Sequence, residues 1–120
     1  MTFQQAIRSG FQNYTNFRDR STRSEYWYWA LFAFLANIVA SIADSAVGSV
    51  GIVSLAIGLA ILLPGLAVSV RRMHDIGKSG WHLLWVLVPL LGVIYLIYLF
   101  VQQSQGPNQY GTAPLQPLPA

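Results

Sequence analysis

The sequence has no cysteine and few charged side chains, seven basic and four acidic in 120 residues. The absence of cysteine excludes a disulfide framework and a thiolate site. A charged fraction of 9% is far below the roughly one quarter that is usual for a water-soluble domain. Because 54% of the residues are hydrophobic, the composition instead predicts a membrane protein, in which lipid covers the apolar surface.

Three long segments of the chain carry no charge, namely 26–43, 45–70 and 81–101. The first is 18 residues long, and an α-helix of that length covers about 27 Å, close to the thickness of the hydrocarbon core. In the second, Gly48 and Gly51 predict a turn, so that a helix begins near Ile52 and ends near Val70, with a kink at Pro64. Both segments are predicted to cross the membrane.

The third segment is 21 residues long, enough for one crossing, but it contains the helix-breaking sequence Pro89-Leu90-Leu91-Gly92. We expect a kinked span. The alternative is a re-entrant hairpin, which would return the chain to the side from which the segment starts. The following residues, 102–120, are polar, uncharged and rich in proline, and they predict an extended or disordered tail.

The first 24 residues are polar enough to lie outside the hydrocarbon core. Within them, Phe3, Ile7, Phe11 and Tyr14 recur at three- and four-residue steps, and they form one apolar face of a predicted helix. This helix either lies on the membrane surface or packs against the transmembrane helices of the same chain.

The predicted fold class is all-α. We expect a polytopic helical membrane protein with an interfacial N-terminal helix and three apolar helices, the third broken at Pro89–Gly92. Residues 1–24 form a juxtamembrane amphipathic segment, residues 25–101 the helical membrane domain, and residues 102–120 the polar tail.

The distribution of basic residues predicts the orientation. Four precede the first apolar segment, and three lie between the second and the third: Arg8, Arg18, Arg20 and Arg23, then Arg71, Arg72 and Lys78. The predicted loop between the first two spans contains Asp44 and no basic residue. Because basic loops remain on the cytoplasmic side, the N-terminus and the connector 71–80 are predicted to lie in the cytoplasm.

Two arginine-rich motifs flank the membrane segments on this predicted cytoplasmic side. They are Phe17-Arg18-x-Arg20-x-x-Arg23-x-Glu25-Tyr26-Trp27 and Arg71-Arg72-x-His74-Asp75-x-Gly77-x-Ser79-Gly80-Trp81. A third motif, Gly106-x-Asn108-x-Tyr110-Gly111-x-x-Pro114, lies in the tail. On these motifs the sequence resembles the DUF805 family of small bacterial inner-membrane proteins. The resemblance implies a bacterial inner-membrane location, and it implies no particular activity.

Residues of the two motifs are expected to form one basic, aromatic face. We take this face as the candidate binding surface for lipid or a partner. Its residues are Arg18, Arg20, Arg23, Glu25, Trp27, Arg71, Arg72, His74, Asp75, Lys78 and Trp81. One interpretation is a structural ion-pair network that fixes helix packing. The other is a site for anionic lipid headgroups, since arginine forks match phosphate oxygens and tryptophans suit the membrane interface.

Other classes of function have weaker support. His74 and Asp75 are adjacent, and neighbours on a helix point about 100° apart, so they make a poor catalytic dyad. The spacing of His74 and His82 does not predict a metal site, no cofactor is implied, and the basic residues lie beside apolar segments rather than on a nucleic-acid-binding face. We therefore expect a non-enzymatic accessory or scaffold protein that binds anionic lipid, a protein partner or a second copy of itself. The alternative is a subunit of a transport or channel assembly.

Overall fold

A computed structural model describes residues 1–116 of the chain. The regular elements in this part are helices: α1 (Phe3–Gln12), α2 (Arg23–Val47), α3 (Ile52–Asp75), a 3-10 helix (Gly80–Leu87) and α4 (Leu91–Phe100). The predicted all-α class is confirmed. The last residues of the predicted tail, 117–120, lie outside the described part.

Helices α2 and α3 form an antiparallel pair, and each is long and apolar enough to cross a membrane. Helix α2 begins after Thr22, whose hydroxyl accepts the backbone N–H of Glu25 (3.1 Å) as an N-cap. Much of the apolar surface of the pair faces outward, since Phe34 and Val39 of α2 are 63% and 66% exposed. Water would make such a surface unfavourable, whereas lipid covers it.

The connection between α2 and α3 differs from the prediction in the position of Asp44. Gly48 and Gly51 adopt positive φ angles of 70° and 114° and form the predicted turn, but Asp44 lies within α2 rather than in the loop. Its carboxylate accepts the backbone N–H groups of Val53 (2.8 Å) and Ser54 (2.9 Å). Because a helix N-terminus has unpaired N–H groups and a partial positive charge, this carboxylate holds the start of α3.

Helix α1 packs against α2 through small residues. Ala6 and Gly10 are buried, and a Cβ at Gly10 would overlap the ring of Trp29. At the start of α1, the ring of Phe3 meets that of Tyr28 edge to face with centroids 6.0 Å apart. The helix is therefore docked on its own bundle, and its location at the membrane surface stays a prediction.

The third apolar segment folds as a hairpin. The 3-10 helix and α4 have 8 and 10 residues, which correspond to lengths of about 16 Å and 15 Å. They meet at Leu90, whose φ is 63°. The carbonyl oxygen of Phe100, at the end of α4, then accepts the indole N–H of Trp27 (3.1 Å) near the start of α2. The expectation of one kinked span is wrong, and the hairpin alternative describes the segment.

A methyl group at Gly92 is expected to disrupt this hairpin. A Cβ there would overlap the carbonyl oxygen of Trp85 and lie 3.0 Å from the Cβ of Val88, and a backbone carbonyl cannot move aside without opening the turn. We expect Gly92→Ala to lower the melting temperature of the detergent-solubilised protein by several degrees. The control is Gly58→Ala in α3, where the added Cβ meets nothing within 4 Å. Equal melting temperatures for the two variants would contradict the hairpin.

The described part of the tail is extended, but it is docked rather than disordered. The backbone N–H of Gln105 donates to the carbonyl oxygen of Asp75 at the end of α3 (3.1 Å). Further along, the N–H of Leu115 donates to the carbonyl oxygen of Arg20 (2.8 Å). The tail thus lies across the ends of α2 and α3 where the two arginine-rich motifs meet.

Candidate functional site

A cluster of enclosed polar side chains occupies this end of the bundle, and we call it the polar cap. Its members are Arg20, Ser21, Glu25, Arg71, Arg72, His74 and Asp75, all of them buried. The turn before α2, the first turn of α2 and the last turns of α3 supply these residues. A backbone hydrogen bond from the N–H of Ser21 to the carbonyl oxygen of Arg71 (3.0 Å) joins the two segments.

Asp75 is shared by two arginines. Its Oδ1 lies 3.0 Å from Nη2 of Arg20, and its Oδ2 lies 2.5 Å from Nη1 of Arg72. The hydroxyl of Ser104, in the tail, also donates to Oδ2. All three charged side chains have 0% exposure, so each charge depends on the others for compensation.

The tail completes the coordination of Arg20. Nη1 donates to the carbonyl oxygens of Gly106 (3.0 Å) and Gly111 (2.9 Å), and Nη2 donates to that of Gln105 (2.5 Å). With Nε on Asp75 Oδ1 (3.1 Å), the planar fork of donors is satisfied within the protein. The tail is therefore held by a side chain from the turn before α2.

Arg71 forms the second centre of the polar cap. Nη2 pairs with Oε1 of Glu25 (2.8 Å), and Nε donates to the hydroxyl of Ser21 (2.8 Å). Nη1 donates to the carbonyl oxygens of Asn13 (2.8 Å) and Asn16 (3.1 Å), just after α1. One guanidinium thus ties α1, α2 and α3 together. The other oxygen of Glu25, Oε2, is buried and has no hydrogen-bond partner within residues 1–116.

Arg72 holds the hairpin at the polar-cap end of the bundle by hydrogen bonds. Its Nε donates to the carbonyl oxygen of Phe100 (3.3 Å), and its Nη2 donates to that of Gln102. The side chain of Arg23, which is exposed, adds a bond from Nη1 to the carbonyl oxygen of Val101 (3.0 Å). The end of α4 is therefore held by arginines from both long helices.

The ring of His74 is held in place by contacts with other protein groups. Its Nδ1 lies 3.2 Å and 3.1 Å from the carbonyl oxygens of Arg18 and Asp19, and since carbonyls only accept, Nδ1 carries the hydrogen. The imidazole stacks on the ring of Tyr110 with centroids 3.9 Å apart and an interplanar angle of 4°. Within residues 1–116 the carboxylate of Asp75 bonds to other groups and not to this ring, so the two neighbours do not form a dyad.

The structure divides the predicted face into two sets. Arg20, Glu25, Arg71, Arg72, His74 and Asp75 lie in the polar cap, whereas Arg18, Arg23, Trp27 and Trp81 are exposed and Lys78 is half-buried. The three buried guanidinium groups, of Arg20, Arg71 and Arg72, face protein acceptors, and a headgroup role for the face stays a prediction. Their arrangement fits the alternative interpretation, a structural ion-pair network.

Several partners of this network were missed from the sequence. They are the carbonyl groups of Asn13, Asn16, Phe100, Gln105, Gly106 and Gly111, the hydroxyl of Ser21 and the ring of Tyr110. Backbone carbonyls have no side-chain signature. The tail motif from Gly106 to Gly111 carried the only signal, since it accompanied the two arginine-rich motifs. Among residues 1–116, no group of three or more histidine, cysteine, aspartate and glutamate side chains is placed to hold a metal ion.

Comparison with known proteins places this arrangement in a family. The sequence model described as "Protein of unknown function (DUF805)" matches residues 14–112. "Inner membrane protein YhaH" of Escherichia coli (strain K12) is 34% identical over 109 residues, covering 86% of this chain and 90% of the relative. "Inner membrane protein YhaI" of the same strain is 32% identical over 108 residues, covering 88% and 92%. No solved structure matches. The resemblance predicted from the three motifs is confirmed, and the chain belongs to the DUF805 family of membrane proteins.

Proposed function

We propose that this protein is a non-enzymatic accessory protein of the bacterial inner membrane, whose cytoplasmic end binds anionic lipid. The observation that supports this most is the separation of its cations into two sets. The arginines of the polar cap are enclosed and join the ends of α1, α3 and α4 to the start of α2. Outside them, Arg18, Arg23 and Lys78 form what we call the cationic rim, of which Arg18 and Arg23 are exposed and Lys78 is half-buried.

The charge distribution supports the orientation. The only acidic side chain near the opposite end of the bundle is Asp44, and all seven basic residues precede the apolar part of α2 or follow Val70. A basic end remains in the cytoplasm, where anionic headgroups attract cations close to the surface. Trp27 and Trp81, 37% and 78% exposed, are aromatic residues of the kind found at headgroup depth. The proposal thus places the cationic rim against the cytoplasmic leaflet.

The described helices give the transport alternative little support. Coupled transporters hold ions with ionisable groups inside the membrane. In α2 and α3 the ionisable side chains other than tyrosine are Arg23, Glu25 and Asp44, near the ends of α2, and the group from Arg71 to Asp75 at the end of α3. Between them the two helices carry no acidic or basic group.

The test compares the variant Arg18→Gln/Arg23→Gln with the control Arg8→Gln, which also removes positive charge near the N-terminus. We expect the double variant to retain much less phosphatidylglycerol relative to phosphatidylethanolamine after extraction from mixed vesicles into mild detergent. Each cation close to an anionic surface is worth about 1 kcal/mol, so removal of two should lower the ratio of the two lipids by roughly 30-fold. Mass spectrometry of the retained lipid measures this ratio. An unchanged ratio in the double variant would overturn the lipid proposal.

A further inference from the structure

A groove at the same end of the molecule has the composition of a ligand site. It has a volume of about 520 Å³ and lies between α4, the connector after α3 and the tail, a size within the range typical of small-molecule sites. Ile76 and Leu99 give it an apolar floor that continues into the hydrophobic core. Polar side chains, among them Lys78, Tyr95, Tyr98 and Gln103, form the rest of the lining.

The positive charge of Lys78 is uncompensated in this groove. The ion pairs found in residues 1–116 join Arg20 and Arg72 to Asp75, and Arg71 to Glu25. Lys78 takes part in none of them, although its side chain is half-buried. An ammonium group that has no acidic partner in this part of the chain is available to pair with an anionic ligand.

Three neutral donors line the same groove as Lys78. The hydroxyls of Tyr95 and Tyr98 and the side-chain amide of Gln103 line the groove, and within residues 1–116 none of them makes a hydrogen bond to another protein group. Such groups donate to phosphate oxygens. A cation with several free donors matches a phosphate diester better than a carboxylate, because a phosphate offers more acceptor oxygens.

An apolar track leads away from the groove along α4. Leu91, Ile94 and Tyr98 follow one another at helical spacing on one face, and they are 70%, 55% and 59% exposed. This face has room for a hydrocarbon chain whose polar end lies in the groove. A soluble phosphate ester would leave it uncovered.

We propose that the groove binds the phosphate group of a membrane phospholipid, with Lys78 as its counter-ion and an acyl chain along Leu91 and Ile94. This inference rests on the proposed function, because it needs this end of the protein at the headgroup level. It goes further by assigning one stoichiometric site, distinct from the general attraction of Arg18 and Arg23. The specificity of this site for a phosphate group comes from the single cation Lys78 and from the hydroxyl and amide donors of the groove.

Native mass spectrometry of the full-length protein in detergent tests the site with dioctanoylphosphatidylglycerol as the probe. We expect one bound copy, with a dissociation constant at least fivefold higher in Lys78→Gln and about threefold higher in Tyr98→Phe, which removes only a hydroxyl. Lys78→Arg keeps the charge and should bind within twofold of the unchanged protein, as should Arg8→Gln. The melting temperature without lipid verifies that each variant is folded. If Lys78→Gln fails to fold, Tyr98→Phe decides the result alone.

The outcomes separate the inference from the proposed function. Binding that is unaffected by both Lys78→Gln and Tyr98→Phe would overturn the groove, while loss of phosphatidylglycerol retention in Arg18→Gln/Arg23→Gln would still support the general lipid proposal. Glycerophosphoglycerol, the same phosphate diester without acyl chains, should compete at least tenfold more weakly than the lipid. Equal competition would assign the groove to a soluble phosphate ester and overturn the acyl-chain track.

Discussion

Asp75→Asn is expected to destabilise the protein by about 3–5 kcal/mol, the cost of leaving a buried charge without its partner. The substitution keeps the shape of the side chain but removes the negative charge that Arg20 and Arg72 share, with both pairs at 0% exposure. An amide can accept from one arginine, but it cannot compensate two enclosed cations. Thermal unfolding in detergent, followed by tryptophan fluorescence, measures the loss.

The same variant should also release the tail. Arg20 holds the carbonyl groups of Gly106 and Gly111 only while Asp75 keeps its guanidinium in place. We therefore expect chymotrypsin to cut after Tyr110 much faster in Asp75→Asn. Asp19→Asn is the matched control, because Asp19 is exposed and its loss should change neither readout. Unfolding of Asp75→Asn at the same temperature as the control would contradict an interdependent polar cap.

Arg71→Lys is the second substitution with a large expected effect, although it preserves the charge. The guanidinium of Arg71 donates hydrogen bonds in separate directions, to Ser21, to Glu25 and to two backbone carbonyl groups. An ammonium group donates from a single point and cannot reach them all. Each buried acceptor left without a donor costs about 1–3 kcal/mol, so we expect a total loss of about 3 kcal/mol.

The control for this prediction is Arg23→Lys. Arg23 is exposed and makes one hydrogen bond, to the carbonyl oxygen of Val101, and substitutions at such surface positions usually change the free energy of unfolding by less than about 0.5 kcal/mol. Denaturant titration of both variants in one detergent compares them directly. If Arg71→Lys were as mild as Arg23→Lys, Arg71 would act only as a positive charge and not as a geometric junction.

The two long helices could be predicted from the sequence because length and uninterrupted apolar composition are sufficient for them. Helix α3 begins at Ile52, where the predicted glycine turn placed it. The convergence of the two arginine-rich motifs also followed from topology, since an even number of crossings returns the chain to one side. These features depend on local pattern and on chain order alone.

The hairpin and the interior of the polar cap depend on contacts between segments that are distant in the sequence. Pro89 and Gly92 indicated a break, but the direction of the chain after it is set by Leu90 and by the donors that hold Phe100. Likewise, a pattern of charges does not reveal which cations are enclosed. The enclosed arginines are those that donate to backbone carbonyl groups after α1, at the end of α4 and in the tail. Because every residue has a backbone carbonyl group, no side-chain pattern in the sequence identifies these acceptors.

The contribution of the tail to Arg20 has a consequence for biosynthesis. The guanidinium of Arg20 and its acceptors in Gln105 and Gly111 are separated by 85 and 91 positions in the sequence. During translation Arg20 leaves the ribosome long before the groups that complete its coordination. The nascent protein therefore carries an Arg20 without these acceptors until Gly111 has been synthesised. A product truncated before Gln105 would leave Arg20 with Asp75 as its partner but without the tail carbonyl groups, so the enclosure of this arginine depends on the part of its environment that is synthesised last.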